Sequence, residues 1–222
     1  NITKIHFVGI GGIGMSGIAE ILLEKKFHIS GSDISENNNT KRLEKIGIKV
    51  IIGHKKENIK GAQILVFSSA IKKNNIEIKQ AKKLKLPIIS RAAMLAEILR
   101  FKSSITVAGS HGKTTTTSII ASIFESSNLD PTIINGGIIN RYKTNAKLGR
   151  GDWIIAEADE SDGSFTVLPS TISIINNIDP EHMDYYENFD NLKNAFIKYA
   201  QNIPFFGFIS ICIDDENIKS IR

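Results

Sequence analysis

Short apolar runs alternate along the chain with longer stretches in which apolar and polar residues recur at helical spacing. In the first half, the apolar runs predict strands at 5–8, 27–30, 50–52, 64–67 and 87–89. Apolar positions three or four residues apart predict helices at 15–26, 40–46, 76–84 and 92–99. This alternation is typical of an α/β domain, in which helices cover a parallel sheet.

The same alternation begins again after residue 103. The elements predicted for this half are strands at 104–108, 132–134, 153–157, 172–175 and 208–213, and helices at 114–125 and 191–200. A chain of 222 residues is long enough for two modest domains. We therefore predict one α/β domain over residues 1–102 and a second over 103–222, with the boundary near 101–103.

The first predicted strand leads into a glycine-rich turn, Gly9-Ile10-Gly11-Gly12-Ile13-Gly14, which opens the first helix. Its glycines let the backbone bend tightly and approach a diphosphate group at the positive end of that helix. Asp33 follows the second strand, where a carboxylate often contacts a ribose hydroxyl. The pattern indicates a nucleotide diphosphate, most obviously a nicotinamide or flavin dinucleotide. A glycine turn without a ligand is the alternative.

A second glycine turn, Gly109-Ser110-His111-Gly112-Lys113-Thr114-Thr115, lies between a strand and a helix. In such a loop the backbone N–H groups surround phosphates, Lys113 neutralises the β and γ oxygens, and Thr114 ligates Mg²⁺. Val107 stands where the common P-loop pattern has its first glycine, so this loop is shorter than usual. A chance Gly-Lys-Thr string is the alternative, but the strand, turn and helix all fall correctly. This turn predicts a site for ATP and Mg²⁺.

Two such turns on successive domains predict two phosphorylated ligands. A hydride-transfer enzyme needs one dinucleotide site and has no use for Lys113. ATP together with a second ligand that carries a diphosphate points to a ligase or a kinase. An NAD(P)-dependent oxidoreductase that uses the first turn is the competing hypothesis.

Acidic residues and a histidine follow two later strands. Glu157 ends the predicted strand at 153–157, and the carboxyl end of a parallel strand projects toward the phosphate crevice, where Mg²⁺ must be held. Further carboxylates, some of them expected to be solvated, follow at Asp159, Glu160 and Asp162. His182 lies just beyond the strand at 172–175. An ordinary acidic loop and a surface histidine are the alternatives.

The histidines outside the second turn and position 182 are predicted to have no comparable neighbours. They are His6, His28 and His54. We therefore assign them no role in the chemistry.

Composition narrows the class of protein without deciding its function. A mean hydropathy of -0.05 is typical of a globular protein, and no apolar run is long enough to span a bilayer. Cys212 is the single cysteine, which excludes an intrachain disulfide, and no secretion leader is recognisable, so a cytoplasmic protein is predicted. The net charge of +5 suits phosphate-bearing ligands, and the lysines of 79–85 indicate a solvated helix face rather than a nucleic-acid surface. The sequence does not indicate an oligomeric state.

Strings spread over the whole chain resemble the Mur ligase family. In order, they are HFVGIGGIGMSGIA, SGSD, FSSAI, GSHGKTTTT, NGG, EADESDGSF, NIDPEHMDYY and NLKNAFIKYAQNIPFFG. The resemblance implies a Rossmann-like parallel-sheet domain that holds the UDP part of a sugar substrate, not NAD. A P-loop-type α/β domain that binds ATP would follow it.

The activity implied by the resemblance is ATP-dependent joining of an amino acid to a UDP-linked sugar acid, in peptidoglycan precursor synthesis. The strings GIGGIGMSG and ESDGSF resemble the members that add L-alanine to UDP-N-acetylmuramate. They are less similar to the recycling members, which attach a tripeptide to the same sugar.

The resemblance also implies roles for individual residues. The ATP site would comprise Gly109, Ser110, His111, Gly112, Lys113, Thr114 and Thr115. The UDP-sugar would contact Gly11, Gly12, Gly14, Asp33, Ser68, Ser69, Ala70, Asn135, Gly136 and Gly137. Metal ions would be held by Thr114, Glu157 and His182, and the catalytic residues would be Lys113, Glu157 and His182.

The family has a third domain that supplies amino-acid contacts and part of the ATP pocket. We expect this chain to lack that domain and to stop before the central domain is complete. We therefore expect the 222 residues to bind nucleotides with little turnover of their own.

Overall fold

The computed structural model of the protein describes residues 2–139 and 144–221. Its strands are β1 (Lys4–Val8), β2 (His28–Asp33), β3 (Lys49–Ile52), β4 (Ile64–Phe67), β5 (Ile88–Ser90), β6 (Ser103–Ala108), β7 (Thr132–Ile139), β8 (Thr144–Lys147), β9 (Trp153–Glu157), β10 (Ile172–Ile175) and β11 (Phe208–Ile211). Its α-helices are α1 (Ile13–Glu24), α2 (Asn38–Lys45), α3 (Ile76–Lys83), α4 (Arg91–Leu99), α5 (Lys113–Ser126), α6 (Met183–Tyr186), α7 (Phe189–Ala200) and α8 (Glu216–Lys219).

The strands form two sheets. The first has the order β3-β2-β1-β4-β5, and all of its strand pairs are parallel. The second has the order β11-β10-β6-β9-β7-β8, and only β8 runs antiparallel to its neighbour. In each sheet the first strand of that half, β1 or β6, lies in the middle. In open sheets of this kind, ligands bind beyond the carboxyl ends of the strands, where the strand order reverses.

The predicted α/β alternation is confirmed, and the predicted strands and helices are present with ends that differ by up to a few residues. The second sheet differs from the expected parallel sheet at its edge, because β7 continues to Ile139 and pairs with β8. The β8 sequence, Thr-Asn-Ala-Lys, has one β-branched residue among residues that are uncommon in strands, so it does not predict a strand. Its partner strand decides its conformation.

Helix α1 packs against both sheets. It lies on β2 of the first sheet and also against β7 and β8 of the second. One continuous apolar cluster therefore includes Ile18 and Leu22 of α1 together with Ile134 and Ala146 of the second sheet, all nearly inaccessible to solvent. Burial of this much apolar surface stabilises the contact between the halves. The domain boundary at residue 102 stays a prediction.

Side chains cap most helices at their first turn. The caps are Asn37 for α2, Asn75 for α3, Ser90 for α4, Asn188 for α7 and Asp215 for α8. Helices α1 and α5 instead begin after a glycine, Gly12 or Gly112, and no side chain caps them. The first N–H groups of a helix need an acceptor, and an anion can serve as one. The two helices that follow the glycine turns therefore have the ends best suited to phosphate.

A buried polar cluster in the first half corrects the prediction for His6 and His54. The carboxylate of Glu77, fully buried, accepts hydrogen bonds from Ser32 Oγ at 2.7 Å and Asn58 Nδ2 at 2.6 Å. His6 Nε2 lies 3.2 Å and His54 Nδ1 3.5 Å from Glu77 carboxylate oxygens. No local sequence pattern indicates this cluster, because its members come from five separate segments.

Candidate active site

The first glycine turn connects β1 to α1 and is bonded to the end of β2. The N–H groups of Gly9 and Ile10 donate to the carbonyl of Ser32, at 2.8 and 3.0 Å. The Gly11 N–H donates to Asp33 Oδ2 at 2.8 Å. A Cβ on Gly11 would lie 2.6 Å from Asn37 Nδ2 and 2.9 Å from the Asp33 carboxylate, so a larger residue there would displace both side chains. Asp33, predicted to meet a ribose hydroxyl, lies directly beside the turn.

Residues after β4 border the same turn. The Ser68 N–H donates to the Val8 carbonyl at 3.1 Å, which ties the end of β4 to the end of β1. A Cβ on Gly9 would approach Ser68 Cβ to 3.2 Å, and Gly9 also has the left-handed φ of 82° that favours glycine. Ser68 and Ser69 line the cleft described below, whereas Ala70 is exposed and does not line it.

The second glycine turn connects β6 to α5 and is bonded to the segment that follows β10. The His111 N–H donates to Asn177 Oδ1 at 2.8 Å, and the Asp179 N–H donates to Ser110 Oγ at 2.8 Å. A Cβ on Gly109, whose φ is 137°, would lie 3.1 Å from Asn176 Cβ. The turn is therefore held close to the end of the neighbouring strand.

The ammonium group of Lys113 is held inside its own turn. It donates to the Gly109 carbonyl at 2.6 Å and to Glu160 Oε1 at 2.8 Å. Glu160 is 1% exposed, and among the described residues its other oxygen, Oε2, has no hydrogen-bond partner. Burial raises the pKa of the Glu160 carboxyl, and the bond from Lys113 offsets only part of that rise. Some of the carboxylates that follow β9 were expected to be solvated, and Glu160 is not one of these.

Both turns border one cleft of about 470 Å³ between the two sheets. It is lined by Gly12, Ile13, Gly14, Met15, Ile18, Ser68, Ser69, Arg91, Leu95, Lys113, Thr114, Ile134, Asn135, Glu157 and Asp159. Its volume is within the range of small-molecule sites. The predicted site residues that share this space are Gly12, Gly14, Ser68, Ser69, Lys113, Thr114, Asn135 and Glu157. Gly11, Asp33 and residues 109–112 do not line it.

Asn135 of β7 lines this cleft, and its side-chain amide is buried without hydrogen bonds to the residues described. It is 1% exposed, and neither its Oδ1 nor its Nδ2 has a hydrogen-bond partner among the residues that the structure describes. A buried amide without partners costs about 1–3 kcal/mol, so the Asn135 amide is available to bind a water or a ligand in the cleft. The backbone of Gly136 and Gly137 continues β7, but their surroundings lie outside the described residues.

The predicted metal ligands fall into two groups. Thr114 and Glu157 line the cleft. His182 instead lies with Glu160 and Glu181, and one ligand atom from each of these three lies within 4.8 Å of the others. His182 also adopts the left-handed φ of 55° just before α6. Thr115 and His111 are exposed, and neither lines the cleft.

Arg91, the first residue of α4, lines the cleft but was not singled out by sequence analysis. Its Nη2 donates to Asp159 Oδ2 at 3.1 Å, which bridges the two halves. Burial acts to raise the pKa of Asp159, but hydrogen bonds from Ser161 and the charge of Arg91 outweigh it and the net pKa is lowered. No local pattern around Arg91 indicates this contact, since its partner lies 68 residues away.

Comparison with known protein families agrees with this two-turn architecture. Residues 4–103 match the model described as "Mur ligase family, catalytic domain", and residues 107–222 match the Mur ligase middle domain. The chain belongs to the Mur ligase family. An NAD(P)-dependent oxidoreductase is therefore not favoured, and the first turn is that of a Mur ligase.

Curated Mur ligases similar to this chain share a name. The UDP-N-acetylmuramate–L-alanine ligase of Brucella anthropi is 52% identical over 221 residues, which are 100% of this chain and 47% of that protein. The enzyme of the same name from Rickettsia bellii is 58% identical over 220 residues, 99% of this chain and 46% of its own length. The chain thus spans about half the length of the curated relatives that it matches.

Solved structures of Mur ligases have the same fold as this chain. The UDP-N-acetylmuramate–alanine ligase MurC of Thermotoga maritima is 31% identical, with a TM-score of 0.88 over 98% of this chain and 51% of that one. The UDP-N-acetylmuramate:L-alanyl-γ-D-glutamyl-meso-diaminopimelate ligase of Neisseria meningitides is 26% identical, with a TM-score of 0.91 over 100% of this chain and 74% of that one.

Within the described part of this Mur ligase chain, no helix combines the length and apolar character that a membrane span requires.

Proposed function

We propose that the protein to which these residues belong joins L-alanine to UDP-N-acetylmuramate at the expense of ATP. The observation that carries the proposal is the single cleft onto which both glycine turns open, with Lys113 at one side and Gly14 at the other. Two polyanionic reactants can meet there only if the protein supplies positive charge and fixed positions. Peptidoglycan precursor synthesis in the cytoplasm is the setting that fits this chemistry.

The names of the relatives support alanine as the amino acid. The curated relatives at 52% and 58% identity are L-alanine ligases, whereas the solved Neisseria meningitides ligase, named for a tripeptide, is 26% identical. Addition of a tripeptide is therefore the weaker alternative. A discriminating measurement offers the full-length protein L-alanine and the tripeptide in competition.

The proposed chemistry has two steps. The carboxylate of UDP-N-acetylmuramate attacks the γ-phosphorus of ATP, which gives an acyl phosphate and releases ADP. The amine of L-alanine then attacks the acyl carbon, and the tetrahedral species that results expels inorganic phosphate. An amide bond forms and one ATP is consumed. A free carboxylate is a poor acyl donor, so the first step is what makes the second feasible.

The second turn is the proposed site of ATP. The backbone N–H groups of 109–115 would surround the β- and γ-phosphates at the uncapped end of α5. Lys113 would exchange its present contact with Glu160 for the γ-phosphate, where charge builds up as the phosphoryl group moves. Because the ammonium is already held at the turn, little reorganisation is needed.

The donor atoms near this turn fit a magnesium ion. Mg²⁺ prefers oxygen ligands, and the Thr114 hydroxyl and the Glu157 carboxylate both line the cleft. His182, Glu160 and Glu181 form a second group, in which Glu160 keeps a buried carboxylate oxygen without a partner among the described residues. When bound, Mg²⁺ supplies positive charge that offsets the charge on the phosphate oxygens.

The first turn is the proposed site of the UDP-sugar. Gly11, Gly12 and Gly14 allow close approach of its diphosphate to the start of α1, beside Asp33. Ser68 and Ser69 border this site, and Asn135 lines the cleft from the second sheet with an amide that has no partner among the residues described. The sugar would then lie between the two turns.

Two titrations and one assay test the proposal. The protein should bind UDP-N-acetylmuramate and ATP, and should not bind NADH. A version extended to the length of the relatives should release phosphate only when ATP, Mg²⁺, UDP-N-acetylmuramate and L-alanine are all present. Binding of NADH in place of the UDP-sugar, or phosphate release that ignores the sugar, would contradict the ligase assignment. We expect the 222 residues alone to bind both nucleotides with little turnover.

A further inference from the structure

Arg91 occupies the junction between the first turn and the second sheet. Its side chain is 20% exposed, and its Nη2 donates to Asp159 Oδ2 at 3.1 Å. The guanidinium also lies against Gly14 on the first turn of α1, where an added Cβ would be 2.8 Å from Nη1 and 3.2 Å from Cδ. The arginine therefore covers the start of α1 from the side of α4.

Arg91 is also a cation of the cleft that makes no bond to the second turn in the part of the chain described. The cleft-lining residues include two cations, Arg91 and Lys113. Lys113 is bonded to the Gly109 carbonyl and to Glu160, both at the second turn. A diphosphate at the first turn would meet the uncapped start of α1 and, next to it, Arg91.

The guanidinium has donors to spare. Among the residues that the structure describes, Asp159 is its one hydrogen-bond partner, and that bond uses a single N–H of Nη2. A guanidinium presents five N–H groups in a fixed plane, which match two oxygens of a phosphate in parallel. The edge that carries Nη1 faces Gly14, where those oxygens would lie.

We propose that Arg91 binds the diphosphate of the UDP-sugar across the start of α1, and that Asp159 is a positioning residue that holds the guanidinium over Gly14. This inference rests on the proposed function and names the side chain that recognises the substrate's charge. The sugar carboxylate is the less fitting ligand for Arg91, because that group must meet the γ-phosphate beside Lys113. Gly14 then does more than let the diphosphate approach the backbone, because its lack of a side chain also leaves room for Arg91.

The test compares ligands that differ only in phosphate. UDP, UMP and uridine are titrated calorimetrically, without divalent cation, into wild type, Arg91→Ala, Arg91→Lys and Arg100→Ala. Arg100 follows the last residue of the same helix and is exposed, so its removal changes the net charge equally and serves as the matched control. Loss of Arg91 should weaken UDP binding by about 10- to 100-fold, UMP binding less, and uridine binding not at all. Arg91→Lys should lie between, because it keeps the charge and loses the planar fork.

A second variant tests the geometry without removing charge. Gly14→Ala should displace the guanidinium and weaken UDP binding several-fold, while alanine favours the helix. In the Arg91→Ala background it should add little, because coupled residues are not additive.

Three outcomes decide the inference. Equal weakening of UDP and uridine in Arg91→Ala, or no weakening, would overturn the role of Arg91 while leaving the ligase proposal intact. Unchanged UDP binding together with weaker ATP binding, measured in a parallel ATP titration of the same variants, would overturn it as well and move Arg91 to the second turn. A wild-type protein that binds neither UDP nor UDP-N-acetylmuramate would overturn the proposed function and this inference with it.

Discussion

The two glycine turns share one plan but differ in where their chemistry comes from. Each follows the middle strand of a sheet and opens a helix that no side chain caps. The second turn contains its own cation, Lys113, within seven consecutive residues. The first contains none, and the cation that lies against its Gly14, Arg91, comes from a helix almost 80 residues further along the chain. A compact motif can therefore be recognised locally, whereas an assembled one needs the fold.

The two halves also differ in how completely their buried carboxylates, Glu77 and Glu160, are hydrogen-bonded. Glu77 in the first half has both oxygens satisfied by Ser32, Asn58 and their neighbours. Glu160 in the second half has one oxygen bonded to Lys113 and the other without a partner among the described residues. The first carboxylate is part of a fully bonded structural cluster, whereas the second has bonding capacity left on one oxygen within the described part of the chain.

Replacement of Glu77 tests the structural half of this comparison and should have the largest effect. Glu77→Ala leaves His6, Ser32 and Asn58 without their acceptor, which should cost about 3–5 kcal/mol of unfolding free energy at pH 7. Urea unfolding measures it. Glu57→Ala, which removes an exposed carboxylate nearby, should change stability by less than about 0.5 kcal/mol.

The pH dependence of that difference has a definite sign. Burial acts to raise the pKa of Glu77, but hydrogen bonds from His6, Ser32 and Asn58 outweigh it, so the net pKa lies below its usual value of 4.5. The carboxylate therefore stabilises the fold above pH 4.5, and this contribution is lost as the pH falls through the lowered pKa. The gap between wild type and Glu77→Ala should shrink below pH 4.5. A gap that widens on acidification would contradict the role given to the carboxylate.

Lys113→Ala tests the functional half. In a version extended to the length of the relatives, turnover should fall by about 10²- to 10³-fold, as when one preorganised donor to a transition state is removed. Phosphate release measures it, and Lys79→Ala, on an exposed face of α3, is the matched control. Near-normal turnover in Lys113→Ala would remove the second turn from the mechanism.

Gly31→Ala probes how β2 packs against Ile10 of the first turn. A Cβ on Gly31 of β2 would lie 2.5 Å from Ile10 Cδ1 and 2.9 Å from the Phe7 carbonyl oxygen. Overpacking of this kind should cost about 1–3 kcal/mol, seen in thermal or urea unfolding. The additional Ile10→Ala change should restore part of the loss, and full additivity of the two changes would argue against direct contact.

Asn177→Ala probes how the second turn is supported, and its effect should be the smallest. The variant loses the acceptor for the His111 N–H, a bond of 2.8 Å, which contributes about 1 kcal/mol. ATP affinity should fall about fivefold, with the UDP-sugar affinity unchanged. Asn38→Ala, at an exposed helical position, is the control. An equal loss of both affinities would mean that the two turns are not supported independently.

The sequence predicted whatever depends on neighbours along the chain. Strand β4, helix α5 and the second turn follow from local periodicity and from glycines at fixed spacing. Strand β8 was missed because its polar residues become a strand only beside β7. The same limit hid Arg91 and the buried Glu77 cluster, whose partners are tens of residues distant. The proposed ligand contacts at Ser68 and Asn135 required the family resemblance as well.

Helix α1 bears on any attempt to divide the protein into separate pieces. It begins at the first turn, yet Ile18 and Leu22 share their apolar surroundings with Ile134 and Ala146 of the other sheet. An excised segment 1–102 would present that face of α1 to water, and such a surface favours self-association. Grafts and chimaeras that exchange the nucleotide-sugar half between homologues should therefore carry over the matching residues of β7 and β8. Otherwise α1 of one homologue would pack against β7 and β8 residues that fit the α1 of the other.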